Sequence, residues 1–330
     1  MEEISPLLGN QISGQPHEDP DLLSPNLRPR HQELIPTPCG PMKPWSELSC
    51  LLKLYFCFTI ASLLALLGLT LFSIYKQQMD KDASDEENLT VSLILLVGIL
   101  FCIYYISRGV LQENRQELVV FVLSVLMLMV RSVVNFSVLE PKSKQELLIR
   151  FVCIMCLGVI HVFCTTLLIQ RPNRMAFRVG GALESLQEQY FLLNLCFSTV
   201  TFDLQAQLCL CIVITTSDSA MSARNSIILG VGVVWACLTA AVGAVAVLKE
   251  AKNLVWVFML LNLPQLAFFV YLIYTVVMTW FRDGTYTQEA AAITGALISL
   301  VIKVVLFWGL IRLVNSFGQG LRERMFAPSK

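Results

Sequence analysis

Long apolar runs alternate with short polar stretches from Cys50 onward, and each run has the length of a membrane crossing. The runs are Cys50 to Tyr75, Thr90 to Ser107, Leu118 to Val138, Leu147 to Ile169, Tyr190 to Thr215, Ser226 to Leu248, Leu254 to Trp280 and Ala290 to Val314. A tilted helix of about 18 to 27 residues is what a hydrocarbon layer roughly 30 Å thick requires. The pattern therefore predicts an all-α, polytopic integral membrane helix bundle of about eight transmembrane helices, occupying residues 48–317. Residues 1–47 hold nine of the 13 prolines and bury too little apolar surface to fold, which predicts a disordered tail. Residues 318–330 read as a short polar tail. No charged-then-apolar leader opens the sequence, so the first apolar run is expected to act as an uncleaved anchor.

Lysine and arginine fall unevenly between the runs. With the first tail in the cytosol, the loops on that side carry Arg108, Arg115, Arg171, Arg174, Arg178, Lys249 and Lys252, and the tails add Arg28, Arg30, Lys43, Arg322, Arg324 and Lys330. The opposite loops hold the acidic segment 80–87 and fewer cations. This bias places both the N- and C-termini in the cytosol. Within the first tail, Glu3 precedes Leu7-Leu8 and Glu18 precedes Leu22-Leu23 at the same spacing. The two patterns resemble the acidic dileucine sorting signal, in which an extended cytosolic peptide sets two leucines in an apolar pocket and its acid beside a basic patch. That resemblance implies clathrin adaptor complexes as partners and the lysosomal or late endosomal membrane as destination, with the plasma membrane as the alternative.

Composition narrows the class. The chain of 330 residues is 55% hydrophobic and 15% charged with no net charge, and its mean hydropathy is +0.66. Membrane lipid is the expected surroundings, and the absence of a basic patch interleaved with aromatics excludes nucleic acid as a partner. The 11 cysteines fall mostly inside the runs, where they read as small apolar residues rather than as a disulfide framework. Cys39 and Cys50 flank the first run as candidate palmitoylation sites. Asn88-Leu89-Thr90 is the candidate glycosylation site, and Asn135-Phe136-Ser137 has the same pattern but abuts a run where the transferase has poor access. Residues 175–189 have the pattern of a short amphipathic helix, and Gly232, Ala236, Ala240 and Ala244 repeat every fourth residue, as a close-packing or homo-oligomer face does.

Candidate chemistry centres on Asp203, the one acid inside a predicted run. At about 1.5 Å per residue it stands roughly 20 Å from the Tyr190 end, near the bilayer midplane, where a carboxylate costs about 2.5 to 3.5 kcal/mol. Thr199, Asp203 and Gln207 share one helical face, so the acid is expected to look into the bundle. Lys303 lies at similar depth in the last run, on a face with Ala291, Gly295 and Ser299, and is the first candidate partner; Arg131 is the second. His161, the one histidine outside the tail, could relay protons with Asp203 or simply pack helices. Asn262, Pro264 and Gln265 mark a break in the seventh run that could shape a path, because proline leaves a carbonyl unbonded. The Pro264-Gln265 dipeptide is similar to that of the PQ-loop transporters of lysosomes, which carry it twice, whereas it occurs once here.

No nucleophile elbow, phosphate loop or Cys/His metal pattern is present, and one histidine cannot supply the ligands of a zinc-dependent intramembrane hydrolase. Cys153 and Cys156 have redox-motif spacing without its structural context. The sequence therefore points away from an enzyme, a cofactor or a bound metal. It leads to an endolysosomal transporter or channel for a small solute or ion, against a non-transporting scaffold or receptor-like protein.

Overall fold

The computed structural model describes residues 35–37, 40–79, 86–138, 144–171, 183–216, 223–283 and 286–318. A two-stranded hairpin, β1 (Ile35–Thr37) and β2 (Gly40–Met42), leads through a short helical turn at Trp45–Glu47 into α1 (Cys50–Met79). Then follow α2 (Glu86–Leu111), α3 (Arg115–Val138), α4 (Lys144–Ile169), α5 (Glu184–Thr216), α6 (Ala223–Leu248), α7 (Lys252–Asp283) and α8 (Tyr286–Asn315). All eight are long and apolar enough to cross a membrane. A helix bonds every interior peptide group within itself, the condition for crossing hydrocarbon without sheet closure. The chain is thus a multi-pass helical membrane protein.

The helices form two rings. In each, consecutive helices pack side by side and the fourth returns to the first: α1 to α4 make one ring and α5 to α8 the other. The rings meet where α5 docks on α2 and α3. The seam between α5 and α8 is the most extensive in the molecule, whereas α1 touches α4 over a short stretch. Small residues explain the tight seam. A Cβ on Gly295 would stand 3.3 Å from Leu210 and one on Gly309 3.1 Å from Cys196, so α8 can lie close against α5.

Two connections are as short as a helical hairpin allows. Between α2 and α3, Asn114 N donates to Gly109 O at 3.0 Å and Glu113 N to Val110 O at 3.4 Å. Between α6 and α7, Ala251 N donates to Ala246 O at 3.2 Å and Glu250 N to Val247 O at 3.4 Å. Both are Schellman closures, which need a left-handed residue after the helix end. Glutamate fills that place in each, with φ of 48° at Glu113 and 51° at Glu250.

The α2–α3 closure corrects one sequence expectation. The run Arg108 to Glu117 reads as a charged loop, but Arg108 lies in the last turn of α2 and Glu117 in the first turn of α3, and both are buried as an ion pair. The expectation of a tail disordered through residue 47 also meets order at its end. Lys43 N donates to Leu111 O at 3.0 Å and its ammonium pairs with Glu113. The α6 small-residue stripe packs inward, with Ala236 buried and Ala240 and Ala244 against the core of the second ring. On the same helix, Gly243 admits the ring of Phe258 from α7, and an added Cβ would lie 2.6 Å from it. Gly243→Ala is expected to cost about 1–3 kcal/mol through overpacking, read as a lower melting temperature of the purified protein in detergent.

Candidate functional site

Helices α5, α7 and α8 bring five of the sequence-selected residues together in the second ring. Lys303 Nζ donates to Asp203 Oδ2 at 2.8 Å, to Asn262 Oδ1 at 2.6 Å and to Gln265 Oε1 at 2.7 Å. Those are all three hydrogens of an ammonium. Gln207 Nε2 donates to the same Asp203 oxygen and, at 3.0 Å, to Gln265 Oε1. Gln265 Nε2 in turn donates to Thr239 Oγ1 on α6 at 3.2 Å, and Asn262 Nδ2 to Phe258 O at 2.8 Å. Lys303 is 0% exposed and Asp203 5%. Asp203 Oδ1 is buried without a hydrogen-bond partner.

Helical spacing built this cluster. Asp203 and Gln207 lie one turn apart on α5, Ser299 and Lys303 one turn apart on α8, and Asn262 and Gln265 on one face of α7. Pro264 sits between the last two with its own surface exposed, so its contribution is the missing N–H rather than a lining side chain. The remaining candidates lie elsewhere. Thr199 donates to its own helix at Leu195 O, 2.6 Å away. Arg131 is on α3, near Cys209, while Asp203 is paired with Lys303. His161 is in the first ring, where its Nε2 lies 2.8 Å from Ser62 Oγ and its ring between Phe58 and Phe121. Among the described residues its hydrogen-bond partner is Ser62, not Asp203. The residues Glu3, Leu7, Leu8, Glu18, Leu22 and Leu23, and the side chain of Asn88, lie outside the described ones, and Asn135 is buried within α3.

A second buried charge cluster went unread in the sequence. Arg108 reaches Glu117 Oε1 at 2.6 Å and Gln112 Oε1 at 2.9 Å, and its guanidinium lies 3.8 Å from the centre of the Phe197 ring. Beside it, Asn114 Nδ2 donates to Asn194 Oδ1 of α5 at 3.2 Å. This cluster pins the second ring to the α2–α3 turn. Among the described residues, no group of three or more His, Cys, Asp or Glu side chains could hold a metal.

Fold and site define a multi-pass membrane protein of two four-helix rings with a charged knot buried in one. The chain belongs to the family described as Domain of unknown function (DUF7789), whose model matches residues 39–170 and 180–312. No curated protein and no solved structure matches the chain.

Each matched segment holds one ring, and short stretches of the two rings correspond in sequence. Leu51-Leu-Lys-Leu-Tyr-Phe56 of α1 corresponds to Leu192-Leu-Asn-Leu-Cys-Phe197 of α5, and Val159-Ile-His-Val162 of α4 to Val301-Ile-Lys-Val304 of α8. The two Schellman turns fix the register of the middle helices, Glu113 on Glu250 and Phe121 on Phe258. In that register Ser62 falls on Asp203 and His161 on Lys303. The 2.8 Å Ser62–His161 bond and the 2.8 Å Asp203–Lys303 bond therefore join equivalent helices at equivalent places. The match extends to the neighbours. Gln207, Thr239, Asn262, Gln265 and Ser299 correspond to Leu66, Cys102, Val125, Leu128 and Leu157, which with Ser62 and His161 line a cavity of about 30 Å³ in the first ring. One ring holds a polar network where the other holds an apolar hollow.

Proposed function

We propose that this is a multi-pass protein of the endolysosomal membrane that moves a small solute or ion, with the Asp203–Lys303 network as its responsive element. One observation carries the reading. The first ring joins its corresponding helices, over a shorter stretch, through the pair Ser62–His161, so a ring of this kind forms without a buried ion pair at that place. Taking an ion out of water costs several kcal/mol even after relaxation. A charge pair kept where a neutral one suffices is more simply explained by a task than by packing. Asp203 acts as the ion- or proton-responsive group, Lys303 as its counter-charge, and Asn262, Gln265 and the Pro264 break shape the path. The reading is non-enzymatic.

Proteoliposomes carrying the full chain are expected to dissipate an imposed Na+, K+ or proton gradient, or to take up a solute from a panel of small metabolites. Those carrying Asp203→Asn are expected to do neither while keeping the parent's helical circular dichroism. No flux by the folded parent protein overturns the reading. The second reading, a non-transporting scaffold, draws on the saturation of Lys303, whose three hydrogens all have acceptors, and on a cavity lined by Ser62 and His161 rather than by Asp203.

Delivery rests on the tail. Glu3 with Leu7-Leu8 and Glu18 with Leu22-Leu23 are proposed to face the cytosol and bind clathrin adaptors. Replacing Leu7, Leu8, Leu22 and Leu23 with alanine is expected to move the protein to the cell surface, scored by surface biotinylation. Unchanged residence in lysosomes would remove the sorting argument.

A further inference from the structure

We propose that Asp203, Asn262 and Gln265 form a monovalent-cation site in which the Lys303 ammonium is a tethered occupant. A free cation, inorganic or a primary ammonium, takes that place when the lysine withdraws. The proposal deepens the transport reading and rests on taking this network as the working part of the molecule.

The oxygens come first. Three acceptors, one from α5 and two from α7, converge on a single point at 2.6 to 2.8 Å. Both amides are held oxygen-inward by what their nitrogens do: Asn262 Nδ2 is bound to Phe258 O and Gln265 Nε2 to Thr239 Oγ1. The cage is therefore oriented by bonds that do not involve Lys303. Asp203 Oδ1 is a further acceptor, buried and unpartnered, beside the occupied oxygen. The ring of Phe269, 5.9 Å from Nζ, adds a face that attracts cations. An ammonium and a small monovalent metal ion carry the same charge and accept the same hard oxygen ligands, and lysine is a point charge on a flexible stem that can leave. The first ring supplies the control. Where Lys303 becomes His161, Asp203, Asn262 and Gln265 become Ser62, Val125 and Leu128. Cage and occupant are present together or absent together.

The test uses the full chain in detergent micelles. Lys303→Ala removes the tethered ammonium and leaves the oxygens. Its melting temperature is measured in chlorides of Na+, K+, methylammonium, ethylammonium and N-methyl-D-glucamine at one ionic strength. A saturable rise is expected with a small cation, roughly 5 °C at a hundred times its Kd, and none with the bulky control. A response to Na+ or K+ assigns an inorganic ion; a response to the alkylammonium ions alone assigns a primary ammonium. Adding Asp203→Asn to Lys303→Ala is expected to abolish the rise. If Lys303→Ala does not fold, Lys303→Gln, which keeps the bulk of the chain, takes its place. No cation-specific rise in the variant that folds, or failure of both to fold in every salt, overturns the proposal. Absence of flux in proteoliposomes leaves this result untouched, so the two readings fail separately.

Discussion

Replacing Lys303 with methionine is expected to lower the unfolding free energy by about 3–5 kcal/mol, the cost of stranding one member of a buried ion pair. Asp203 would keep Gln207 as its hydrogen-bond donor, which does not neutralise a buried charge. The informative comparison is the double variant Asp203→Ser with Lys303→His, which writes the first ring's pair into the second. Ser62 and His161 hold α1 to α4 at 2.8 Å without charge, so the double variant is expected to recover most of the loss. Chemical unfolding of both variants in detergent measures it. A double variant no more stable than Lys303→Met would make the charges part of the scaffold and remove the reason for assigning them a task.

Arg108→Val is expected to be as damaging, again about 3–5 kcal/mol, because Glu117 is 0% exposed and would lose its cation. Here too the other ring suggests the repair. Val245 and Leu254 occupy the places of Arg108 and Glu117, so Arg108→Val with Glu117→Leu is expected to regain most of the stability. The remainder reflects the lost stacking of the guanidinium on Phe197. The same unfolding assay decides it. Equal instability of single and double variants would show that the gap left beside Phe197, not the unpaired acid, sets the cost.

Much of this is legible in the sequence, and the parts that are not have identifiable causes. The eight helices are, because hydrocarbon imposes both a minimum length and an apolar composition. The Asp203–Lys303 contact is too. Two opposite charges at matched depth have few places to go, and the stripe Ala291, Gly295, Ser299 tells which way α8 faces. Asn262 and Gln265 stand out as amides around a proline. Glu117 does not, since Arg115-Gln116-Glu117 next to Glu113 and Asn114 has the look of a loop. Only the left-handed glutamate makes the turn short enough to draw those charges inside, and no glycine marks the position. The correspondence between the rings is hidden for a different reason. Within the helices its identities are leucine, isoleucine, valine and phenylalanine, which any membrane helix shares, while the polar residues that would catch the eye differ between rings at the positions of the site. The signal that could have exposed it is the pair of turns, Leu111-Gln-Glu-Asn-Arg115 and Leu248-Lys-Glu-Ala-Lys252.

Those turns also receive the flanking segments of the chain. Lys43, just after the hairpin, clasps Glu113 and the Leu111 carbonyl, while Gln189 and the backbone of Gly318 reach Glu250. A pull on the chain ahead of Lys43 would therefore reach the knuckle between α2 and α3, beside the Arg108–Glu117 pair at the junction of the two rings, before it reached the start of α1. The first contacts to bear such a pull are a lysine's grip on one carboxylate and its backbone bond to the end of α2.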